Sequence, residues 1–302
     1  MFNIKPEKNV PSKTPYGTVD PAELANPDSD LLTLWWLGNA GFAINWSGQV
    51  LLIDPIIELE DDSDPSTSEI GLPLRGPLPL RAGQITRADL VLLTHDDGDH
   101  TGPRTTPELI ARTDATFLGT ERTARKLREY HLPKDRMRIV CCDEPVTIDG
   151  LTITPTVARH QESDGHTQRG DCCGFLLEKD GLRLWHPDDT DLLEEHLSVT
   201  DIDVLLLPIA PHVLGTKGAI RLSESTGARH IIPCHYGTYD SDRYWCTGDP
   251  EAVRAGLTNP DARYHQLAIG EKLAIGEKLA FGEKLAIGEK LAFGEKLALP
   301  TT

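Results

Sequence analysis

The sequence has few positive charges and no long apolar run. Its 302 residues include 30 lysines and arginines against 47 aspartates and glutamates, for a formal net charge of -17. Because nucleic-acid affinity comes largely from basic side chains that release counterions, this balance argues against a nucleic-acid partner. No segment approaches the ~20 apolar residues that a membrane-spanning helix needs, and the opening residues MFNIKPEKNVPSK lack the apolar stretch of a secretory signal. We therefore expect a soluble cytoplasmic protein without an integral membrane segment.

The sequence also lacks any pair of cysteines with CxxC spacing. Its six cysteines form two adjacent pairs, Cys141-Cys142 and Cys172-Cys173, together with Cys234 and Cys246. Neighbouring cysteines rarely bridge each other, so reduced thiols in a cytoplasmic setting are the simpler interpretation. We expect these thiols to fill core space and not to act as nucleophiles.

Short apolar runs separated by turns begin at Leu31, among them LLTLWWLG, FAINWSG and ADLVLLTH, and they predict strands. The segment TERTARKLREY at 120–130 has helical spacing and no breaker. Strands and helices alternate, but the strands also occur as hairpins. This mixture predicts an α/β protein built as a four-layer αββα sandwich instead of a doubly wound sheet.

The C-terminal region repeats a hexad, with AIGEKL at 268–273, 274–279 and 286–291 and AFGEKL at 280–285 and 292–297. Five copies are too few to stack into a β-helix. A period of six does not match 3.6 residues per turn, and the recurring glycine weakens a helix further. We interpret the repeats as the expansion of a terminal strand with little independent function, and an assembly or partner-binding tail remains the alternative.

The predicted organisation has three parts. Residues 1–30 carry five prolines and predict an N-terminal arm. We expect residues 31–267 to form the main globular domain and residues 268–302 to form the repeat tail.

The densest group of metal-binding side chains is the run His95-Asp96-Asp97-Gly98-Asp99-His100, directly after the strand ADLVLLT. Two imidazoles and three carboxylates in so short a loop would repel one another unless a cation neutralised them. A solvated acidic turn is the plainer alternative. The composition of the run therefore favours a metal site.

This run resembles the His-x-His-x-Asp-His signature of the metallo-β-lactamase superfamily, with Asp97 in place of the second histidine. The likeness covers residues 31 to 240. It includes WWLGNAGFAINWSGQVLLIDP, which ends at Asp54-Pro55, and HIIPCHYGTYD, which resembles an Ile-Pro-x-His-Tyr pattern. It also includes LRLWHPDDTDL, which resembles a strand followed by Gly-Asp-Thr and has Asp188 where glycine is usual. The resemblance implies the metallo-β-lactamase fold and a metal-dependent hydrolase.

Two residues compete for the position of the third histidine ligand, because TVARHQESDGHTQRGDCCGFLLE contains both His160 and His166. We favour His160 because it follows the strand LTITPTVA. The same placement is found in the L-ascorbate-6-phosphate lactonase branch, which this chain resembles most, and in the N-acyl-phosphatidylethanolamine phospholipase D branch.

The resemblance implies two divalent metal ions and a metal-bridging hydroxide as nucleophile, oriented by Asp99. It assigns the metal ligands as follows: His95, Asp97 and His160 on the first ion, Asp99, His100 and His235 on the second, and Asp189 between them. Because Asp97 replaces a neutral nitrogen with an anionic oxygen, Mn and Fe gain on Zn. We expect Mn or Zn, with Fe or a single-metal site as alternatives.

Three further residues carry weaker expectations. His212 follows the strand DVLLLPI on a loop that faces the metals in this fold, where it would bind substrate or protonate a leaving group; an ordinary loop histidine is the alternative. His186 is expected to pack at a strand end. Cys234 should point away from the metals, because side chains alternate along a strand.

The predicted function is the hydrolysis of a small, anionic ester, lactone or phosphoester. A phosphodiesterase of the N-acyl-phosphatidylethanolamine phospholipase D type is one alternative. A diiron redox protein is another, because flavodiiron proteins also place a carboxylate at the Asp97 position, although no glycine-rich flavin loop is present here. The substrate, and whether the chain is a monomer or a homo-oligomer, stay open.

Overall fold

The computed structural model describes residues 16–29, 32–58, 64–160, 168–243 and 246–276. The strands are β1 (Leu32–Gly38), β2 (Gly41–Trp46), β3 (Gln49–Ile53), β4 (Leu90–Leu92), β5 (Thr116–Gly119), β6 (Met137–Ile139), β7 (Val146–Ile148), β8 (Leu151–Val157), β9 (Cys173–Lys179), β10 (Leu182–His186), β11 (Val204–Pro208), β12 (His230–Cys234) and β13 (Lys272–Ile275). The helices are α1 (Pro21–Leu24), α2 (Thr105–Arg112), α3 (Glu121–Glu129), α4 (Gly215–Thr226), α5 (Pro250–Gly256) and α6 (Pro260–Arg263). Among the described residues, no helix combines the length and the apolar character needed to cross a membrane.

The strands form two mixed sheets. The first has the order β13-β1-β2-β3-β4-β5-β6, and the second has the order β12-β11-β10-β9-β8-β7. Between them lies a core to which both sheets contribute, for example Phe42 from the first sheet and Phe175 from the second. This arrangement confirms the predicted α/β class and its two central sheets.

Helices cover the outer faces of both sheets. Leu109 of α2 and Leu127 of α3 pack on the first sheet, and Leu222 of α4 and Val253 of α5 pack on the second. Each central strand is therefore buried on both faces, which explains why the strands of this sequence are continuous apolar runs and not alternating patterns. The four-layer αββα sandwich is confirmed.

Parts of the predicted arm and tail join the first sheet. β13, which includes the end of the first hexad and the start of the second, pairs antiparallel with β1. The N–H of Gly17 donates to the carbonyl of Ile269 at 2.8 Å, and the N–H of Gly270 donates to the carbonyl of Trp36 at 2.7 Å. Residues 1–15 and 277–302 lie outside the described part of the chain, so the three-part organisation stays a prediction.

The topology brings the loops of both sheets to one edge. β3 and β4 run parallel in the first sheet, and β10, β11 and β12 run parallel in the second. Carboxyl ends of parallel strands share one edge of a sheet, so the segments that follow these strands meet there. Every predicted metal ligand lies in such a segment or in the segment after β8.

Candidate metal centre

The seven predicted metal ligands come together at this edge of the sandwich. The loop after β4 provides four of them, and the other three follow β8, β10 and β12 in the second sheet. Five of the seven side chains are buried, namely those of His95, His100, His160, Asp189 and His235. The carboxylates of Asp97 and Asp99 are each 16% exposed, which leaves the group open on one side.

The first group of ligands consists of His95, Asp97 and His160, whose candidate ligand atoms all lie within 4.8 Å of one another. Oδ2 of Asp97 lies 3.4 Å from Nε2 of His95 and 3.6 Å from Nε2 of His160. His160 therefore occupies the position expected of a third histidine ligand. The competing candidate, His166, lies outside the described residues.

The second group consists of Asp99, His100 and His235, again within 4.8 Å of one another. Oδ2 of Asp99 lies 3.8 Å from Nε2 of His100 and 3.8 Å from Nε2 of His235. Both histidines thus present the same ring nitrogen to the same carboxylate, as they would to a shared cation.

Asp189 contacts the second group and also a third set of residues. Its Oδ2 lies 2.9 Å from Nε2 of His235 and 3.6 Å from Nε2 of His100. It also lies 3.4 Å from Nε2 of His212. A third possible metal-binding group therefore consists of Asp189, His160 and His212. Because His160 belongs to the first group, Asp189 is adjacent to both.

The donor atoms of the site fit divalent cations. Oδ1 of Asp189 is buried and makes no hydrogen bond with a described residue, although buried polar atoms are normally satisfied. Nε2 of His100 and Nε2 of His235 face carboxylates at distances of 2.9 to 3.8 Å, and a bound ion would explain why these donor atoms converge. Imidazole nitrogens and carboxylate oxygens suit Zn, Mn and Fe.

Electrostatics supports the same conclusion. Burial alone would lower the pKa of His100, but the carboxylates of Asp189, Asp99 and Asp54 raise this pKa well above its usual value. Burial alone would raise the pKa of Asp189, yet His235 and His100 hold it well below its usual value. Without a cation His100 keeps a proton that balances these carboxylates, and metal binding would replace that proton.

Outer hydrogen bonds orient the ligands, and most of these partners were missed in the sequence. Oδ2 of Asp54 accepts from Nδ1 of His100 at 2.8 Å and from the Thr94 hydroxyl at 2.6 Å. Nδ2 of Asn39 donates to Oδ2 of Asp99 at 3.2 Å. Asp54 was visible as the end of the opening strand motif, whereas nothing local distinguishes Asn39 or Thr94 from ordinary turn and strand residues.

His186 is buried at the end of β10, where it contacts the edge of Phe42. Its Nε2 donates to the Ala40 carbonyl at 3.2 Å, and its Nδ1 accepts from the N–H of Asp188 at 3.1 Å. Cys234 is buried too, and burial raises the pKa of its thiol well above the usual value. All six cysteines are free, and none belongs to the candidate metal groups of the described residues.

A cavity of about 280 Å³ opens over the candidate metal groups. His212 lines it beside the ligands, and Ile70 and Leu72 form an apolar wall. Arg243 is the one cationic side chain among the described residues that line it. The cavity has room for a small molecule that combines an apolar part with a negative charge.

Comparison with known proteins gives a consistent result. Residues 50–236 match the family model described as the β-lactamase superfamily domain. A UPF0173 metal-dependent hydrolase of Thermococcus onnurineus is 31% identical over 224 residues, which are 72% of this chain and 89% of the relative.

Two solved structures share the fold. Igni18, a metallo hydrolase from Ignicoccus hospitalis, matches 82% of this chain and 100% of its own with a TM-score of 0.64 and 22% identity. CmlA, a diiron β-hydroxylase from Streptomyces venezuelae, matches 83% of this chain and 55% of its own with a TM-score of 0.61 and 12% identity. At these identities the structural likeness concerns the fold alone.

Proposed function

This chain belongs to the metallo-β-lactamase superfamily and is a metal-dependent hydrolase, and we propose that it cleaves a small, anionic ester, lactone or phosphoester at a centre of two divalent metal ions. The observation that carries the proposal is the pair of three-residue ligand groups with Asp189 adjacent to both. His95, Asp97 and His160 would hold the first ion, and Asp99, His100 and His235 the second.

Two ions bound there would acidify a water molecule near neutral pH and polarise the scissile carbonyl or phosphoryl oxygen. The residues of this chain orient that chemistry. Asn39 holds the Asp99 carboxylate in place, so that Asp99 can accept the proton of the attacking water. Asp189 contacts His100 and His235 of the second group and lies near His160 of the first, so its carboxylate would serve both ions.

We assign the protonation of the leaving group to His212. Its side chain lines the cavity, and its Nε2 lies 3.4 Å from Oδ2 of Asp189. A histidine in this position can donate a proton to the departing oxygen and recover one from solvent through the open cavity. The expected result for His212→Ala is full metal content with kcat reduced by about 100-fold. Loss of metal in this variant would instead make His212 a ligand.

The cavity supports an anionic substrate. Arg243 would pair with a carboxylate or phosphate group of the substrate, while Ile70 and Leu72 would contact its apolar part. Such groups occur in acidic esters, lactones and phosphoesters, and the lactonase-like reaction is the one we favour among them.

The identity of the metal depends on the carboxylates. Asp97, Asp99 and Asp189 would give the centre three anionic oxygen donors. Such a centre should bind Mn more readily than a centre in which one of these carboxylates were an imidazole. We propose Mn or Zn, with Fe as the alternative. Asp97 is also the specific residue that favours a second candidate function, a diiron redox protein.

The test begins with metal analysis of protein purified without chelator. Reconstitution with Mn, Zn or Fe follows, and each form is assayed on ester, lactone, phosphomonoester and phosphodiester panels. We expect two ions per chain and hydrolysis of an anionic ester, lactone or phosphomonoester. Activity confined to phosphodiesters would favour the phospholipase D type, and oxygen consumption without hydrolysis would favour the diiron protein. A chain that binds no metal would refute the proposal, and His131→Asn, at an exposed histidine, is the control for nonspecific loss.

A further inference from the structure

Asp188, next to the proposed bridging residue, is an unusual choice for its position. Its side chain is fully buried, and its φ of 73° lies in the left-handed region that favours glycine. The family pattern described above has glycine there. Both the buried carboxylate and the strained backbone cost stability, and such costs persist where function needs them.

The Asp188 carboxylate contacts the first ligand group from behind. Its Oδ1 lies 2.9 Å from Nδ1 of His95. A carboxylate can only accept, so Nδ1 of His95 carries the proton. Nε2, on the opposite edge of the ring, faces Asp97 at 3.4 Å, on the side where the first ion would bind.

The second ligand group has a matching carboxylate in Asp54, which accepts from Nδ1 of His100 at 2.8 Å. Thr94 joins the two sides. Its hydroxyl donates to Asp54, and the same oxygen lies 3.0 Å from Nδ1 of His95. One buried network therefore holds a histidine from each group in the same orientation.

We propose that Asp188 is a positioning residue for the first metal ion. It fixes His95 in the Nδ1–H tautomer, directs Nε2 to the ion and increases the basicity of the ring, so it sets the affinity of the first site. This inference rests on the two-metal centre proposed above. It concerns a residue that does not itself face the cavity.

The two sites can be measured separately in single-site proteins. His235→Ala leaves the first site, and His160→Ala leaves the second. In each background, Asp188→Gly is titrated with Co²⁺, whose absorption spectrum reports the ligand field. We expect Asp188→Gly to weaken Co²⁺ binding by about 10- to 100-fold in the His235→Ala protein and by less than about threefold in the His160→Ala protein.

Two further readouts separate positioning from a structural role. Asp188→Asn, whose amide oxygen can still accept from Nδ1 of His95, should keep most of the first-site Co²⁺ affinity that Asp188→Gly loses. In ¹⁵N spectra of the metal-free protein, recorded at a pH where His95 is neutral, His95 should hold the Nδ1–H tautomer in the wild type and in Asp188→Asn, and should populate both neutral tautomers in Asp188→Gly.

A matched control is Asp180→Gly, which makes the same substitution at an exposed left-handed position, φ 52°, in the turn between β9 and β10. It should leave both Co²⁺ affinities unchanged. Equal losses at both sites would overturn the proposal. The proposal would also be overturned if the wild type bound three ions and Asp188→Gly lost one of them. In that case Asp188 would be a direct metal ligand together with His95 and His100.

These outcomes are distinct from failure of the proposed centre. If the wild-type chain binds no Co²⁺, the centre itself is refuted. If the wild type binds two ions and Asp188→Gly leaves the first-site affinity unchanged, only the role of Asp188 is refuted.

Discussion

The two halves of the centre carry the same kinds of ligand but hold their outer carboxylates differently. Each half has two histidines and one aspartate as candidate ligands. Behind His100, Asp54 accepts from Nδ1 of the ring and also from the Thr94 N–H and hydroxyl, at 2.9 and 2.6 Å. Behind His95, Asp188 accepts from Nδ1 of the ring at 2.9 Å. The halves match in charge, so the support of the outer carboxylate is what distinguishes them.

The largest effect should come from the residue that the two halves share. Asp189→Asn should remove most of both metal ions and reduce kcat/KM well beyond the roughly 100-fold that loss of an outer partner costs. Metal analysis and hydrolysis assays measure both effects. Asp191→Asn, a partly exposed carboxylate two residues away, is the matched control. Two tightly bound ions in Asp189→Asn would show that Asp189 does not bridge.

Removal of one histidine from each half tests the division into two sites. His160→Ala and His235→Ala should each lose one ion per chain and at least about 100-fold in kcat. His166→Ala should keep both ions. The reverse pattern, with metal lost from His166→Ala and retained in His160→Ala, would move the third histidine ligand to residue 166.

Replacement of Asp97 by histidine should change metal selectivity more than activity. Asp97→His replaces an oxygen donor with a nitrogen donor, so the ratio of Zn to Mn affinity should rise by about tenfold or more. Competition titrations measure this ratio. Asp96→Asn, a change of the neighbouring carboxylate that pairs with Arg122, should leave the ratio unchanged. An unchanged ratio in Asp97→His would mean that Asp97 is not a ligand.

The smallest effect concerns the stability of the metal-free protein as a function of pH. Burial lowers the pKa of His95, but Asp188 and Asp97 raise this pKa well above its usual value. The neighbouring carboxylates raise the pKa of His100 in the same way. A raised pKa in the folded state adds stability that is fully present below the unfolded value of about 6.5 and is lost as pH rises through the folded pKa.

The metal-free protein should therefore lose a few degrees of Tm between about pH 6 and pH 9. Metal-loaded protein should not show this loss, because bound ions replace the protons. Thermal unfolding with and without chelator measures the difference. A metal-free Tm that rises over this range would contradict the predicted protonation.

Much of the fold could be predicted because both sheets are buried on two faces. That burial requires strands such as LLTLWWLG and DVLLLPI to be apolar throughout, and their hairpins and helices then indicate the layers. The pairing of β13 with β1 was beyond prediction, since its hexads are nearly identical and nothing local selects one of them.

The candidate metal centre was also only partly predictable from the sequence. The run from His95 to His100 supplies ligands from a single loop, so its chemistry could be recognised from composition and spacing alone. The contact of Asp188 with His95 joins residues 93 positions apart, and that of Asn39 with Asp99 joins residues 60 apart. Their importance depends on the direction in which each side chain points, and no local pattern encodes it.

By itself, then, the sequence determined the kinds of side chain at the site, the strands that lead to them and the presence of Asp97 among them. The tertiary structure alone decided which carboxylate lies behind which histidine. The physical reason is that parallel strands bring distant loops to one edge, while left-handed turns at Asp54, Asp188 and His235 set the final side-chain directions.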